Sequence, residues 1–434
     1  MSRENDAPNK NSISRGVERL DREVSAFVQE SVPQGLKLVV IISDGTRGYV
    51  NQSRGVASWL SKRTGAEVLE LEIPQLKGIR RRNVLKAAAE LPYGDRKTSL
   101  EWLAIAEGEV TARTLGQWLL ERKIREGHTS SLILLSAGTM PAFYNLALGY
   151  IWRCTCVTIT TPSVVGTDPF DFAIIPEHDY PSEAPNVINT IGVPNLIVRE
   201  ELGAVGKSLM REYPPKRERR WGVLIGGDDK NFRATASWMH KIVGKIFREA
   251  ERGDVDLYIS ASKRTSPDAE NALRRMVSSC ENVRFVFIAT AADTYSPIPA
   301  MLGACDEIFA TDDSVNMVSE AVTAGHRVVL LQAERTGLVK KRLQAATRVM
   351  VSSGLLPYRA LWGVSRYEMT FDSLRNLGLL IDFRNWIHEQ SRGDIAPVQN
   401  QSEEYDWGGD GFNEARRAAD WILGNLHNVI HPDY

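Results

Sequence analysis

Apolar residues along this chain gather in short unbroken runs, each closed by glycine, aspartate or proline and followed by an amphipathic stretch. "LKLVVIISDG" (36–45) is the first such run. A continuous apolar segment ended by Asp44-Gly45 reads as a strand covered on both faces, as in a parallel sheet. "NQSRGVASWLSKRTG" then predicts a helix with Asn51 as its cap and Gly65 past its end, and "AEVLELEI" (66–73) the returning strand. The alternation continues through "SLILLSAG" (131–138), a helix from Pro141 to Trp152, "CVTITT" (156–161) and "DFAIIPEHD" (171–179). Repeated strand–helix alternation predicts an open α/β sheet.

At 211–220 the pattern breaks in "REYPPKRERR", where two prolines and a charge run predict an interdomain linker with a solvated basic face. A second unit opens with "WGVLIGGDDKN" (221–231) and repeats the same alternation at 255–267, 283–290, 307–313 and 327–331. The prediction is α/β in class: two consecutive Rossmann-like domains. Residues 1–30 form a polar segment and helix, 31–210 the first domain and 221–380 the second. Residues 381–434 form a helical tail that crosses back to the first domain. "FDSLRNLGLLIDFRNWIHEQ" in that region reads as helical.

Composition narrows the partners. With 53 basic and 54 acidic residues the net charge is -1, which gives no general attraction to nucleic acid. The start "MSRENDAPNKNSISRG" is polar, and no stretch reaches about 18 apolar residues, so neither secretion nor membrane spanning is expected. Cys154, Cys156, Cys280 and Cys305 include no CxxC and no nearby histidine, so they read as reduced thiols. The expected location is the cytoplasm, with peripheral contact at the inner face of a membrane left open.

Ligands of open α/β sheets bind beyond the carboxyl ends of strands, so the loops after the apolar runs carry the candidate chemistry. In "FATDDSVNMVSEAVTAGHRVVLL" (309–331) Ser314 can cap a helix whose first-turn N–H groups and dipole suit a diphosphate. Asp313 stands beside that cap, Met317 can pack on the ligand, and Glu320 can accept from a ribose diol. The plainer alternative is a capped helix with a solvated Glu320. Gly226 and Gly227 would let a phosphate or sugar approach the backbone. Ser262, Lys263, Arg264 and Thr265 offer a compact set of donors and charge for phosphate oxygens. In the first domain His178 and Asp179 form a candidate base and its orienter, and Asp44 is the competing base. No G-x-G-x-x-G follows a predicted strand, which argues against a nicotinamide enzyme.

The segments "DGTRGYVNQSRGVA", "FDFAIIPEHD", "YISASKRTSPDAE" and "FATDDSVNMVSEAVTAGHRV", in this order, resemble the Elm family of plant mitochondrial-fission factors and their bacterial homologues. The likeness spans roughly residues 37 to 332. Thr311, Asp313, Ser314, Met317, Glu320 and Ala321 match the family's helix start. Lys263 departs from the arginine of its Ser-Arg-Arg-Thr-Pro loop, and one residue is inserted before Pro267. The resemblance implies a glycosyltransferase of the GT-B type, whose two Rossmann-like domains face each other across a cleft, with the donor held mainly by the second. The same helix start is similar to the donor helix of lipid-linked GlcNAc transferases.

Together these imply a metal-independent transferase that needs no cofactor. It would move a sugar from a nucleoside-diphosphate donor to a cell-surface glycan or lipid-linked acceptor. Diphosphate charge would be met by a helix dipole and basic side chains. A non-hydrolysing nucleotide-sugar epimerase and a non-catalytic scaffold that recruits membrane-remodelling partners stand as alternatives.

Overall fold

The computed structural model describes residues 35–124, 131–228, 231–290, 295–335, 364–392 and 411–429, with single positions between 343 and 355. The segment expected over 1–30 lies outside the described residues. The chain divides into two compact units. One comprises Met1–Thr190, Pro194–Leu196 and Ala415–Tyr434; the other comprises Ile191–Val193 and Ile197–Glu414.

In the first unit β1 (Leu38–Ser43) is buried along its whole length, as its unbroken apolar run requires. It is followed by α1 (Arg47–Thr64), β2 (Glu67–Glu72), α2 (Gly78–Ala87), a 3₁₀ turn (Ala88–Tyr93), α3 (Arg96–Ile105) and α4 (Glu109–Glu121). Then come β3 (Leu132–Ala137), α5 (Thr139–Trp152), β4 (Thr155–Ile159), β5 (Phe172–Pro176) and β6 (Val187–Thr190). The sheet is parallel, in the order β2-β1-β3-β4-β5-β6. Strand order reverses between β1 and β3, so the topological switch point lies beside the Asp44 loop.

α1 opens one turn before the predicted Asn51 cap. The Asp44 carboxylate accepts the Thr46 N–H at 2.9 Å, and the Thr46 carbonyl accepts from Val50 at 3.0 Å, so the turn after β1 runs directly into helix. Gly65 closes α1 at φ 76°, where an L side chain would be strained.

The second unit runs through α6 (Arg199–Glu212), β7 (Arg219–Ile225), the short β8 (Phe232–Arg233) and α7 (Gly244–Arg252). It continues with β9 (Val255–Ala261), α8 (Pro267–Ser278), β10 (Val283–Ile288), α9 (Ile298–Ala304), β11 (Glu307–Thr311) and α10 (Val315–Thr323). The last elements are β12 (Val328–Leu331), β13 (Glu334–Arg335), α11 (Val364–Asn376), β14 (Leu380–Asp382) and α12 (Phe383–Arg392). The parallel order is β10-β9-β7-β11-β12-β14, with the reversal between β7 and β11. β8 and β13 pair antiparallel in a small separate ladder.

Two boundaries differ from the sequence reading. The change of unit falls at 190–197, upstream of the expected linker at 211–220. α6 belongs to the second unit because Gly206 and Gly303 let it approach α9 until backbones touch: a methyl at Gly206 would overlap the Gly303 carbonyl. The basic run itself is docked, not a solvated hinge. The buried Asp256 carboxylate accepts the Lys216 and Arg217 N–H groups at 2.6 and 2.9 Å and the Arg217 guanidinium at 3.0 Å.

The other difference is in the tail. Leu380–Asp382 is a strand, parallel to β12, entered through Gly378 at φ 71°, so the predicted continuous helix is broken in two. The second unit therefore extends past 380 to Glu414, and only the last helix, α13 (Glu414–Asn425), returns to the first. There Ile422 is fully buried, Arg63 holds Asp420 at 2.9 Å, and Trp421 meets Phe172 edge-on.

Candidate nucleotide-sugar site

Three loops predicted to carry ligand chemistry follow β9, β7 and β11, which are successive neighbours in the second sheet. With strands about 4.8 Å apart, their carboxyl ends deliver the three loops to one place at the switch point. Asp313 joins them. Its side chain is 2% exposed, and it accepts the Gly227 N–H at 3.0 Å and the Arg264 guanidinium at 3.0 Å. The Gly226 N–H goes to the Thr311 hydroxyl at 2.7 Å, and the Thr265 hydroxyl donates to the Gly226 carbonyl at 3.1 Å. Ser262 turns its own loop by accepting from the Arg264 N–H at 3.2 Å.

This geometry alters the reason for the glycine pair. A methyl at Gly226 would overlap the Asp313 carboxylate, and one at Gly227 would overlap the backbone of Arg264. The close approach they permit is to the protein's own groups, and their N–H donors are already used. Asp313, too, has its carboxylate turned inward; burial raises its pKa, partly offset by the Thr311 hydroxyl, the Gly227 N–H and the Arg264 charge. What this scaffold holds outward is Lys263, which is exposed, and Arg264, whose side chain is 42% exposed beyond its bond to Asp313.

α10 begins where expected: Ser314 is its N-cap and accepts the Met317 N–H at 3.4 Å. Val315, Val318, Ser319, Ala321 and Val322 are buried, whereas Asn316, Met317 and Glu320 are not. At 100° per residue these three occupy one continuous arc of the helix. Met317 and Glu320, singled out from the sequence, share this arc with Asn316, which the sequence reading did not single out.

The profile of the mitochondrial fission ELM1 family matches residues 47–426. The chain belongs to that family. No curated protein matches this ELM1-family sequence. Among solved structures, UDP-GlcNAc 2-epimerase from Neisseria meningitidis bound to UDP-GlcNAc aligns over 91% of this chain and 100% of its own, at 14% identity and TM-score 0.44. The Methanocaldococcus jannaschii UDP-GlcNAc 2-epimerase aligns over 91% and 100%, at 12% and 0.47. A UDP-forming trehalose-phosphate synthase from Burkholderia xenovorans aligns over 91% and 99%, at 13% and 0.41.

In the ELM1-family chain Asp312 points the opposite way from Asp313. Its carboxylate accepts the Ala333 N–H at 2.9 Å and pairs with Arg335 at 2.8 Å, while Arg335 lies over the Phe232 ring. Burial pushes the Asp312 pKa up to about 6, with Arg335 and the Ala333 N–H opposing it. A cavity of about 380 Å³ opens on that side, lined among others by Asp312, Gln332, Arg335, Glu368, Arg375 and Asp382. Sequence spacing gave no signal for Arg335, which reaches Asp312 only through the β8–β13 ladder. Among the described residues no cluster of His, Cys, Asp or Glu could hold a metal ion.

The first unit does not bring its candidates together. Asp44 follows β1, whereas His178 and Asp179 form a 3₁₀ turn after β5. Those strands are three places apart in the sheet, about 14 Å. The two candidate bases therefore rise from the ends of different, non-neighbouring strands. The Asp179 carboxylate lies 3.4 Å from the Thr161 N–H, and its carbonyl accepts the Thr161 hydroxyl at 3.3 Å, which ties the β4 and β5 loops. All four cysteines are free and buried.

Proposed function

We propose that this protein is a glycosyltransferase whose second unit binds a nucleoside-diphosphate sugar at the reversal between β7 and β11. The observation that carries this reading is the Asp313-centred scaffold, which fixes Arg264 and its loop beside the start of α10. The diphosphate would lie against the α10 N-terminus, with Lys263 and Arg264 meeting its oxygens. The ribose diol would donate to Glu320, and Met317 would pack on the nucleoside. The adjoining cavity, with Gln332 and its arginine–carboxylate pairs, offers the hydrogen bonds that sugar hydroxyls need.

In the reaction an acceptor hydroxyl oxygen attacks the anomeric carbon, the bond from that carbon to the diphosphate oxygen breaks, and the hydroxyl proton passes to a base. His178 and Asp44 are the first unit's candidates. The acceptor class is a cell-surface glycan or a lipid-linked sugar.

Calorimetry with EDTA present tests the donor site. Glu320→Ala should weaken nucleoside-diphosphate binding by about 1–3 kcal/mol, the range for a charged hydrogen bond. Unchanged affinity removes Glu320 from the site. His178→Ala should lower turnover by about 10² to 10⁴ with donor affinity retained. If Asp44→Ala abolishes turnover while His178→Ala does not, the base lies in the first loop. An epimerised nucleotide sugar as product, with no glycoside formed, would replace the transferase reading by the epimerase.

A further inference from the structure

The stretch from Lys77 to Lys97 carries seven basic and two acidic residues in a chain whose net charge is -1. It forms α2, the 3₁₀ turn and the start of α3, on the carboxyl side of β2. α2 has only one fully buried residue, Val84; Ile79, Arg80, Arg81, Arg82, Asn83 and Lys86 all face solvent. Ile79 is 78% exposed and Tyr93 is 90% exposed. Arg80 holds Glu107 at 2.7 Å, which brings up the turn between α3 and α4 and the first turn of α4, where Val110 is 70% exposed.

Of the two acidic side chains, Asp95 is committed to capping α3 through the Thr98 N–H at 2.9 Å. Arg81, Arg82 and Lys86 make no ion pair among the described residues. Large apolar side chains at high exposure, set among unpaired cations, are an unstable surface in water alone. The combination matches an interface that needs both terms at once: anionic headgroups for the cations, and the acyl boundary for Ile79, Tyr93 and Val110. Nucleic acid would satisfy the arginines but leave the isoleucine and valine wet.

We infer that this face of the first unit docks on an anionic lipid bilayer, with Arg82 and Lys86, which flank Ile79 on one side of α2 at 100° per residue, on the headgroups and Ile79 and Tyr93 inserted at the interface. No helix among the described residues is long and apolar enough to cross a membrane, so this contact lies on the surface. The loop leading into α2 also touches the candidate acceptor region: the Gln75 amide donates to the Asp44 carbonyl. The inference stands apart from the donor reading. If both hold, a lipid-linked acceptor would be presented at the same edge of the sheet.

Vesicle co-sedimentation of the full chain, without nucleotide, tests it. The wild type should bind vesicles containing phosphatidylserine and not those of phosphatidylcholine alone. Arg82→Glu with Lys86→Glu should weaken that binding by at least about 100-fold. Ile79→Ser with Tyr93→Ser should leave residual binding that is lost at high salt. Circular dichroism and thermal melting of the same variants establish that each is folded. Absence of wild-type binding, equal binding by the charge-reversed variant, or preference for an RNA or DNA duplex over the vesicles overturns the inference. Failure of donor binding in the wild type would refute the proposed function and leave this result intact.

Discussion

At the scale of single residues, the adjacent pair Asp312 and Asp313 organises the second unit by facing in opposite directions. Asp313 fastens the β7 and β9 loops, and a methyl at Gly226 would push into its carboxylate. Gly226→Ala should therefore cost about 1–3 kcal/mol in chemical denaturation and lower nucleotide affinity as well, because the loop that carries Arg264 shifts. Asp312 makes a prediction about pH. Its carboxyl is raised from an ordinary 3.8 to about 6 by burial, so the folded state binds its proton more tightly than the unfolded state. Stability from this group is complete below the ordinary value and is lost as pH rises through about 6. Relative to Asp312→Asn, the wild type should lose roughly 1–3 kcal/mol between about pH 4 and about pH 7 in urea titrations.

At the scale of elements, contacts that no local pattern reveals decide which unit a segment joins. α6 precedes the predicted linker, yet it packs on α9 through glycines at 206 and 303. A methyl at Gly303 would overlap the Leu202 carbonyl. Gly303→Ala should separate these helices and cost about 1–3 kcal/mol, read as faster hydrogen exchange over 199–212 and 298–304. The central strands β1, β3, β4, β5 and β9 were legible because a strand buried on both faces has to be apolar throughout, whereas Val187–Thr190, inside a stretch that reads as a loop, was not. Leu380–Asp382 escaped because three residues are too short for a period to register, and helical sequence flanks them on both sides. α10 was legible at both ends, from Ser314 at its cap and Gly325 at φ 94° beyond it.

At the scale of the whole molecule, the chain leaves the first unit near 190, builds the second, and returns at 415. The two crossing points are tied within the second unit, where the Glu414 carboxylate accepts the Ile191 N–H at 2.7 Å. Ile422→Ala on the returning helix should destabilise the first unit by about 2–5 kcal/mol. In scanning calorimetry its transition should move down while the second unit's stays in place; equal shifts in both would contradict this division.

Sequence alone determined the two Rossmann-like units, the strand-end loops and the cap of α10. These depend on short-range rules: apolar continuity, turn residues at strand ends, and helix capping. Tertiary structure alone decided what the loops do to one another. Gly226, Gly227 and Asp313 look like ligand groups in a string of letters, but the two glycine N–H donors and one Asp313 carboxylate oxygen are used internally, and Lys263 and Arg264 are what remain outward. The separation of Asp44 from His178 likewise depends on strand order, because sequence gives the succession of strands and not which of them are neighbours. Arg335 on Asp312 and Arg217 on Asp256 are long-range pairs formed by folding, so no spacing rule could have found either.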